Sequence, residues 1–201
     1  MLNTQRDWQA FVLLLIDVQQ DFWPAETARC FPNFPRNIEQ LLTSCRHEGI
    51  EVIHLRACFQ PDQSDWMVRY KLRDWIPCVQ GTSGAELLPC AVEFPGEAVI
   101  LKQTFDGFLK PQLSHYLAER GKRFVLVAGL VTSVCVLLTA ISAAQRGFLT
   151  AVIEDCCADN PQAHEHTLQN YPFAFERSQW HEIPQKYQQW QAALAQLDRA
   201  K

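Results

Sequence analysis

The sequence predicts an α/β fold: a single-domain three-layer α/β/α sandwich built on a mostly parallel, Rossmann-like sheet of five to six strands. Three observations lead there. Short, nearly continuous apolar runs read as strands buried on both faces. They are FVLLLID (11–17), EVIHLRACF (51–59), AVILK (98–102), FVLVAGL (124–130) and FLTAVIED (148–155). Segments of helical periodicity alternate with them, and such alternation over short connections implies right-handed crossovers and a parallel sheet covered on both sides. Finally, 201 residues at 48% hydrophobic and 20% charged suffice for one substantial core, and no repeat or linker divides residues 1–201.

In order along the chain, the first strand is capped by Asp17. A helix over 36–49 follows, apolar at Ile38, Leu41, Leu42 and Cys45 and stopped by Gly49. After the second strand, residues 60–89 form an irregular segment with one short helical stretch, where a lid or substrate loop would sit. The third strand ends in Lys102, and PQLSHYLAERG (111–121) is a helix with proline near its start and glycine at its end. The fourth strand runs into a helix over 133–147 whose first turn contains Cys135, and the fifth ends in Glu154 and Asp155. Helices at 161–171 and 184–197 complete the chain, the second amphipathic through Tyr187, Trp190, Ala193, Leu194 and Leu197. Trp180, Tyr187 and Trp190 suit a subunit interface or packing within the chain equally well.

Charge and composition exclude several classes. The net charge is −4 with no Lys/Arg block, which argues against nucleic acid and against an anionic membrane as partner. FVLLLI is too short to span a bilayer and lacks the flanks of a signal peptide, so a cytoplasmic protein is expected. Eight cysteines are many, but disulfide frameworks belong to short secreted chains; here they read mostly as small buried hydrophobes. CCADNPQAHEH (156–166) offers thiols and imidazoles, yet adjacent cysteines serve one tetrahedral ion poorly. His164 and His166, two apart on a helix, face different sides, so no metal is expected there.

Ligands of such sheets bind beyond the carboxyl ends of the strands. That edge receives Asp17, Lys102, the turn carrying Cys135, and the Glu154-Asp155 pair. A strand end is often charged only because the chain is reaching water, so each alone says little; a carboxylate, an amine and a thiol together define a chemistry. A helix start and a nearby cation favour thiolate at Cys135, while Asp17 is placed to accept and return a proton. Backbone N–H groups of the GLVTSVC turn, at Thr132 and Cys135, are free to hold an oxyanion. The combination reads as nucleophilic acyl transfer. Phe22, Trp23, Trp66 and Phe105 are candidate pocket walls, or plain core; Gln19 and Arg69 are candidate polar contacts, Arg69 equally a solvated surface charge.

LLLIDVQQDF, QGTSGAELLP, VILKQTFDGF and LVAGLVTSVCVLLTAISAAQRGF with the following IEDCCAD resemble the isochorismatase-like cysteine hydrolases over most of the chain. The resemblance implies Asp17 as general base, Lys102 as the triad lysine and Cys135 as nucleophile, with a cis peptide at Val131-Thr132 orienting the oxyanion donors. Nicotinamidases of that family carry an Asp-x-His-x-x-His metal motif where this chain reads RACFQPDQSDW. The metal-independent branch, similar to N-carbamoylsarcosine amidase, is therefore implied, with no cofactor. Its members cleave a C–N bond of a small amide, carbamoyl or ureido compound through a thioester, commonly as dimers or tetramers, so a small-molecule substrate and a homo-oligomer are expected. Vinyl-ether hydrolysis and a non-catalytic binding role remain the alternatives.

Overall fold

β1 (Phe11–Ile16) is apolar and buried at every position, because β2 (Glu51–Ala57) and β4 (Phe124–Leu130) flank it and helices cover both of its faces. The computed structural model describes residues 6–199. Its sheet is all parallel, in the order β3-β2-β1-β4-β5-β6, with β3 at Ala98–Lys102, β5 at Leu149–Ala158 and β6 at Glu176–Ser178. Two short helices, α1 (Ala25–Cys30) and α3 (Val68–Lys71), lie in connections. The covering layers are α2 (Phe34–Glu48) and α7 (Ile183–Arg199) on one face, and α4 (Pro111–Glu119), α5 (Leu137–Gln145) and α6 (Pro161–Asn170) on the other. Side chains of a strand alternate between faces. Thus Phe11, Leu13 and Leu15 pack with α2 and α7, whereas Val12, Leu14 and Ile16 pack with α4 and α5.

The strand order places a topological switch between β1 and β4: the chain winds outward one way through β2 and β3, then returns to β4 and winds the other way. A crevice opens at such a point beyond the strand ends. Asp17 leaves β1 there, and the turn holding Cys135 leaves β4 beside it. The two strands approach closely at Gly129, where a Cβ would stand 2.0 Å from the Ile16 carbonyl oxygen and φ is +122°. Gly129→Ala is therefore expected to cost about 2–6 kcal/mol, combining backbone strain with overpacking, and to yield little soluble protein. A chemical-denaturation midpoint within error of the parent would refute this.

Strand β3, which carries Lys102, is anchored at its start. Glu97 accepts hydrogen bonds from Arg46 Nε (2.8 Å) and the Phe94 N–H (2.8 Å), and His54 Nε2 lies 2.9 Å from its carboxylate. Burial opposes the charge, but these bonds outweigh it and hold the Glu97 pKa at about 2. A carboxylate depressed by folding contributes stability that is present above its unfolded value, roughly 4.3, and lost as pH falls towards the folded one. Glu97→Gln is accordingly expected to flatten the decline in stability between roughly pH 4.5 and 2, read as thermal midpoint against pH.

Three features depart from the sequence expectation. Strand β5 continues beyond Glu154 and Asp155 to Ala158, through a bulge in which Val127 pairs Val152 but Gly129 pairs Cys157. Glu154 and Asp155 thus lie within the strand. Glu154 pairs with Arg177 (2.6 Å), while Asp155 accepts the Trp180 N–H (3.1 Å). The helix expected over 133–147 is instead a π turn, Thr132–Val136, followed by α5. Strand β6 is a three-residue polar edge with no apolar run to announce it. The aromatics near the C-terminus find partners within the chain. Trp190 is buried against Phe124 (centroids 4.7 Å apart), and Tyr187 meets Trp8 edge-on at 4.7 Å. No helix among the described residues is long and apolar enough to cross a membrane.

Candidate active site

The turn after β4 is shaped by a cis peptide at Leu130-Val131, one residue earlier than expected. Val131 is extended (φ −96°, ψ 151°), and its carbonyl accepts from Val134 and Val136 N–H groups, the latter closing the π turn. Thr132 and Cys135 stand in the first turn of this helical segment, where N–H groups have no partner within the helix. Two side chains from the β5–α6 region hold the turn in place. Asp159 accepts from both the N–H (2.8 Å) and the hydroxyl (2.6 Å) of Ser133, and His164 Nδ1 lies 2.8 Å from the Thr132 hydroxyl. Burial pushes the His164 pKa below its ordinary value, favouring the neutral ring. Neither residue was singled out for this role from sequence, because the strand before them read as ending at Asp155.

Asp17 is fully buried in a left-handed conformation (φ 49°), its N–H bonded to the Leu55 carbonyl at 2.8 Å. Its Oδ2 accepts from Lys102 Nζ at 2.6 Å, while Oδ1 is buried with no hydrogen-bond partner among the described residues. Lys102, 1% exposed, also donates to the Thr104 carbonyl (3.0 Å) and to Cys135 Sγ (3.6 Å). Burial alone would pull its pKa down; the Asp17 charge, with the hydrogen bonds to Asp17 and to the Cys135 sulfur, outweighs that, and the net shift is upward. The three side chains therefore meet, from strand ends separated by 85 and 33 residues in sequence.

The thiol differs from expectation. Cys135 is buried, and burial, reinforced by the Asp17 carboxylate, pushes its pKa well up; the Lys102 ammonium opposes this and loses. A helix start stabilises thiolate locally, but removal from water costs the charged form more. Burial thus favours the protonated thiol, beside the buried Asp17–Lys102 salt bridge.

Above it lies a cavity of about 100 Å³ with Asp17, Lys102, Thr104 and Cys135 at its base. Phe22 and Phe105, named from sequence, line it, together with Phe59, Met67, Tyr70 and Ile76, which were not. The other four candidates stand outside the lining. Gln19 is buried, its amide donating to the Ala57 and Ala85 carbonyls and accepting the Ala57 N–H, so it fastens the end of β2 to the loop. Trp23 stacks on Phe34 (4.7 Å). Trp66 donates to the Gln60 carbonyl (2.7 Å) and packs with Phe59 and Ile76. Arg69 is exposed on α3, whose next residue, Tyr70, reaches the cavity instead. A one-turn helix gives no periodicity from which to tell the two apart. Among the described residues no His/Cys/Asp/Glu cluster is arranged to hold a metal, and Cys156 and Cys157 pack into opposite cores.

A sheet of this order, with an acid, an amine and a thiol gathered beside its switch point, defines a class of cysteine-centred α/β sites. The sequence profile of the Isochorismatase domain matches residues 11–175, and the chain belongs to the isochorismatase family. It is 29% identical over 164 residues to a maleamate amidohydrolase of Pseudomonas putida, covering 78% of this chain and 76% of that one. Identity to nicotinamidase 3 of Arabidopsis thaliana is 28% over 172 residues, covering 81% of each. The crystal structure of an isochorismatase family protein from Desulfovibrio vulgaris superposes with a TM-score of 0.77 at 26% identity, covering 88% of this chain and 97% of that one. The enzyme is a hydrolase.

Proposed function

We propose that the chain hydrolyses a C–N bond of a small amide, carbamoyl or ureido compound through a thioester on Cys135. The observation that carries this reading is the single ammonium of Lys102, bonded at once to Asp17 (2.6 Å) and to the Cys135 sulfur (3.6 Å) at the base of a cavity of about 100 Å³. Asp17 Oδ1, buried without a partner, is the atom free to receive the thiol proton. When a carbonyl enters, that proton passes to Asp17 and the sulfur attacks carbon. The oxyanion is held by the N–H groups of Thr132 and Cys135. Collapse breaks the C–N bond, and Asp17 returns the proton to the departing nitrogen. Asp17 then takes a proton from water, hydroxide adds to the thioester, and the acid leaves as the thiol is restored. The Pseudomonas relative, named an amidohydrolase, supports C–N cleavage over vinyl-ether hydrolysis or ligand binding without turnover.

The test is ammonia release across a panel of small amides and ureido compounds, wild type against Cys135→Ala. Release by the wild type alone is expected, and equal release by both would end the reading. A second expectation follows from the resting thiol. With no substrate present, alkylation of Cys135 by iodoacetamide at pH 7 should be at least tenfold slower than that of a free cysteine, rising steeply with pH, because the thiol's pKa lies above that of an exposed one, roughly 8.5. Fast labelling with a midpoint below pH 7 would contradict it.

A further inference from the structure

We infer that the site accepts a neutral carboxamide with an apolar body, a short branched aliphatic amide, and discriminates against amides that also carry a carboxylate. This rests on the hydrolase reading above and adds the substrate class to it.

Three observations carry it. The walls are Phe22, Phe59, Met67, Ile76 and Phe105, with the Tyr70 ring in a T-shaped contact with Phe105 at 6.4 Å. A carboxylate seated against them would lose its hydration and gain no ion pair. The one lysine in the cavity is already committed. An ammonium has three N–H donors, and Lys102 directs them at Asp17 Oδ2, the Thr104 carbonyl and the Cys135 sulfur. Paired at 2.6 Å, Asp17 and Lys102 cancel one another's charge, so the base offers an anion no uncompensated positive charge. Arg69, the cation that sequence suggested for polar substrate atoms, is exposed on α3 and outside the lining.

The wall does offer one neutral polar group. No hydrogen bond engages the Tyr70 hydroxyl among the described residues, and burial raises the phenol's pKa above its ordinary value. It can bond an uncharged acceptor without drawing in an anion. Size sets the body: an apolar cavity on the order of 150 Å³ admits benzene, so about 100 Å³ here suits a short branched chain with the amide reaching the base.

The experiment compares pairs of primary amides in which a carboxylate is replaced by an isopropyl group of the same shape. Isovaleramide is set against malonamate, and (Z)-4-methylpent-2-enamide against maleamate, with kcat/KM read by ammonia release. The neutral member of each pair should be favoured at least 100-fold. Met67 is a half-buried wall residue from which an introduced guanidinium can reach both cavity and solvent. Met67→Arg is therefore expected to narrow the ratio at least tenfold. Malonamate or maleamate hydrolysed as well as its neutral partner by the wild type would overturn the substrate class while leaving the hydrolase reading intact. Absence of ammonia from all four compounds, and from the wider amide panel, would overturn the hydrolase reading and this inference with it.

Discussion

Cys135→Ala is expected to lower amide hydrolysis at least ~10³-fold and to leave the fold in place. The loss is large if Cys135 is the nucleophile as proposed: among the described residues at the cavity base, Asp17 and Lys102 engage one another and Thr104 donates its hydroxyl to the Asp106 carbonyl, which leaves the sulfur to form the acyl bond. The fold survives because the substitution removes one buried atom from a side chain packed at the edge of the second core, a change of roughly 1–2 kcal/mol. Cys135→Ser should be nearly as inactive, since a hydroxyl beside the same carboxylate is a far poorer nucleophile. Near-UV circular dichroism and thermal midpoints identify a merely unfolded variant. Turnover in either variant within tenfold of wild type would refute the nucleophile assignment.

Lys102→Met should cost more in stability than any surface change, about 3–5 kcal/mol at neutral pH, because it strands the fully buried Asp17 without its counter-charge. The pH dependence carries a sign. In the wild type, Lys102 is raised above its unfolded pKa, so its contribution is complete below roughly 10.4 and is lost only as pH rises through the folded value. The double variant Asp17→Asn/Lys102→Met should recover most of the stability at pH 7 and none of the activity. Equal stability of Lys102→Met and wild type at pH 7 would contradict a stabilising role for the buried Asp17–Lys102 pair.

Much of this arrangement was legible before any coordinates. FVLLLI and FVLVAGL are apolar at every position because each is a central strand with covered faces, and the residues at which the chain leaves β1 and β3 are the ones that meet. Strand ends are where sequence position and spatial position coincide, so Asp17, Lys102 and Cys135 could be assigned to one edge. What escaped depends on quantities that no local pattern encodes. The bulge in β5 hides Glu154 and Asp155 inside a strand, which moves the rim to Asp159 and conceals its bond to Ser133. Tyr70 and Arg69 exchange roles on a helix of four residues. Gln19 is used up by backbone groups of Ala57 and Ala85, which lie 38 and 66 residues away. The thiol's upward shift follows from burial, a property of the packed molecule, whereas the helix start that suggested the opposite is visible locally.

A sulfur that forms a covalent bond to its substrate leaves a mass behind. Acid quenching of wild-type enzyme during turnover of the preferred amide, followed by peptide mass spectrometry, should find Cys135 carrying the acyl group, labile to hydroxylamine and absent from Cys135→Ala. Vigorous turnover with Cys135 unmodified at every quench time, and a single-turnover burst of acid accompanied by no adduct, would contradict a thioester route.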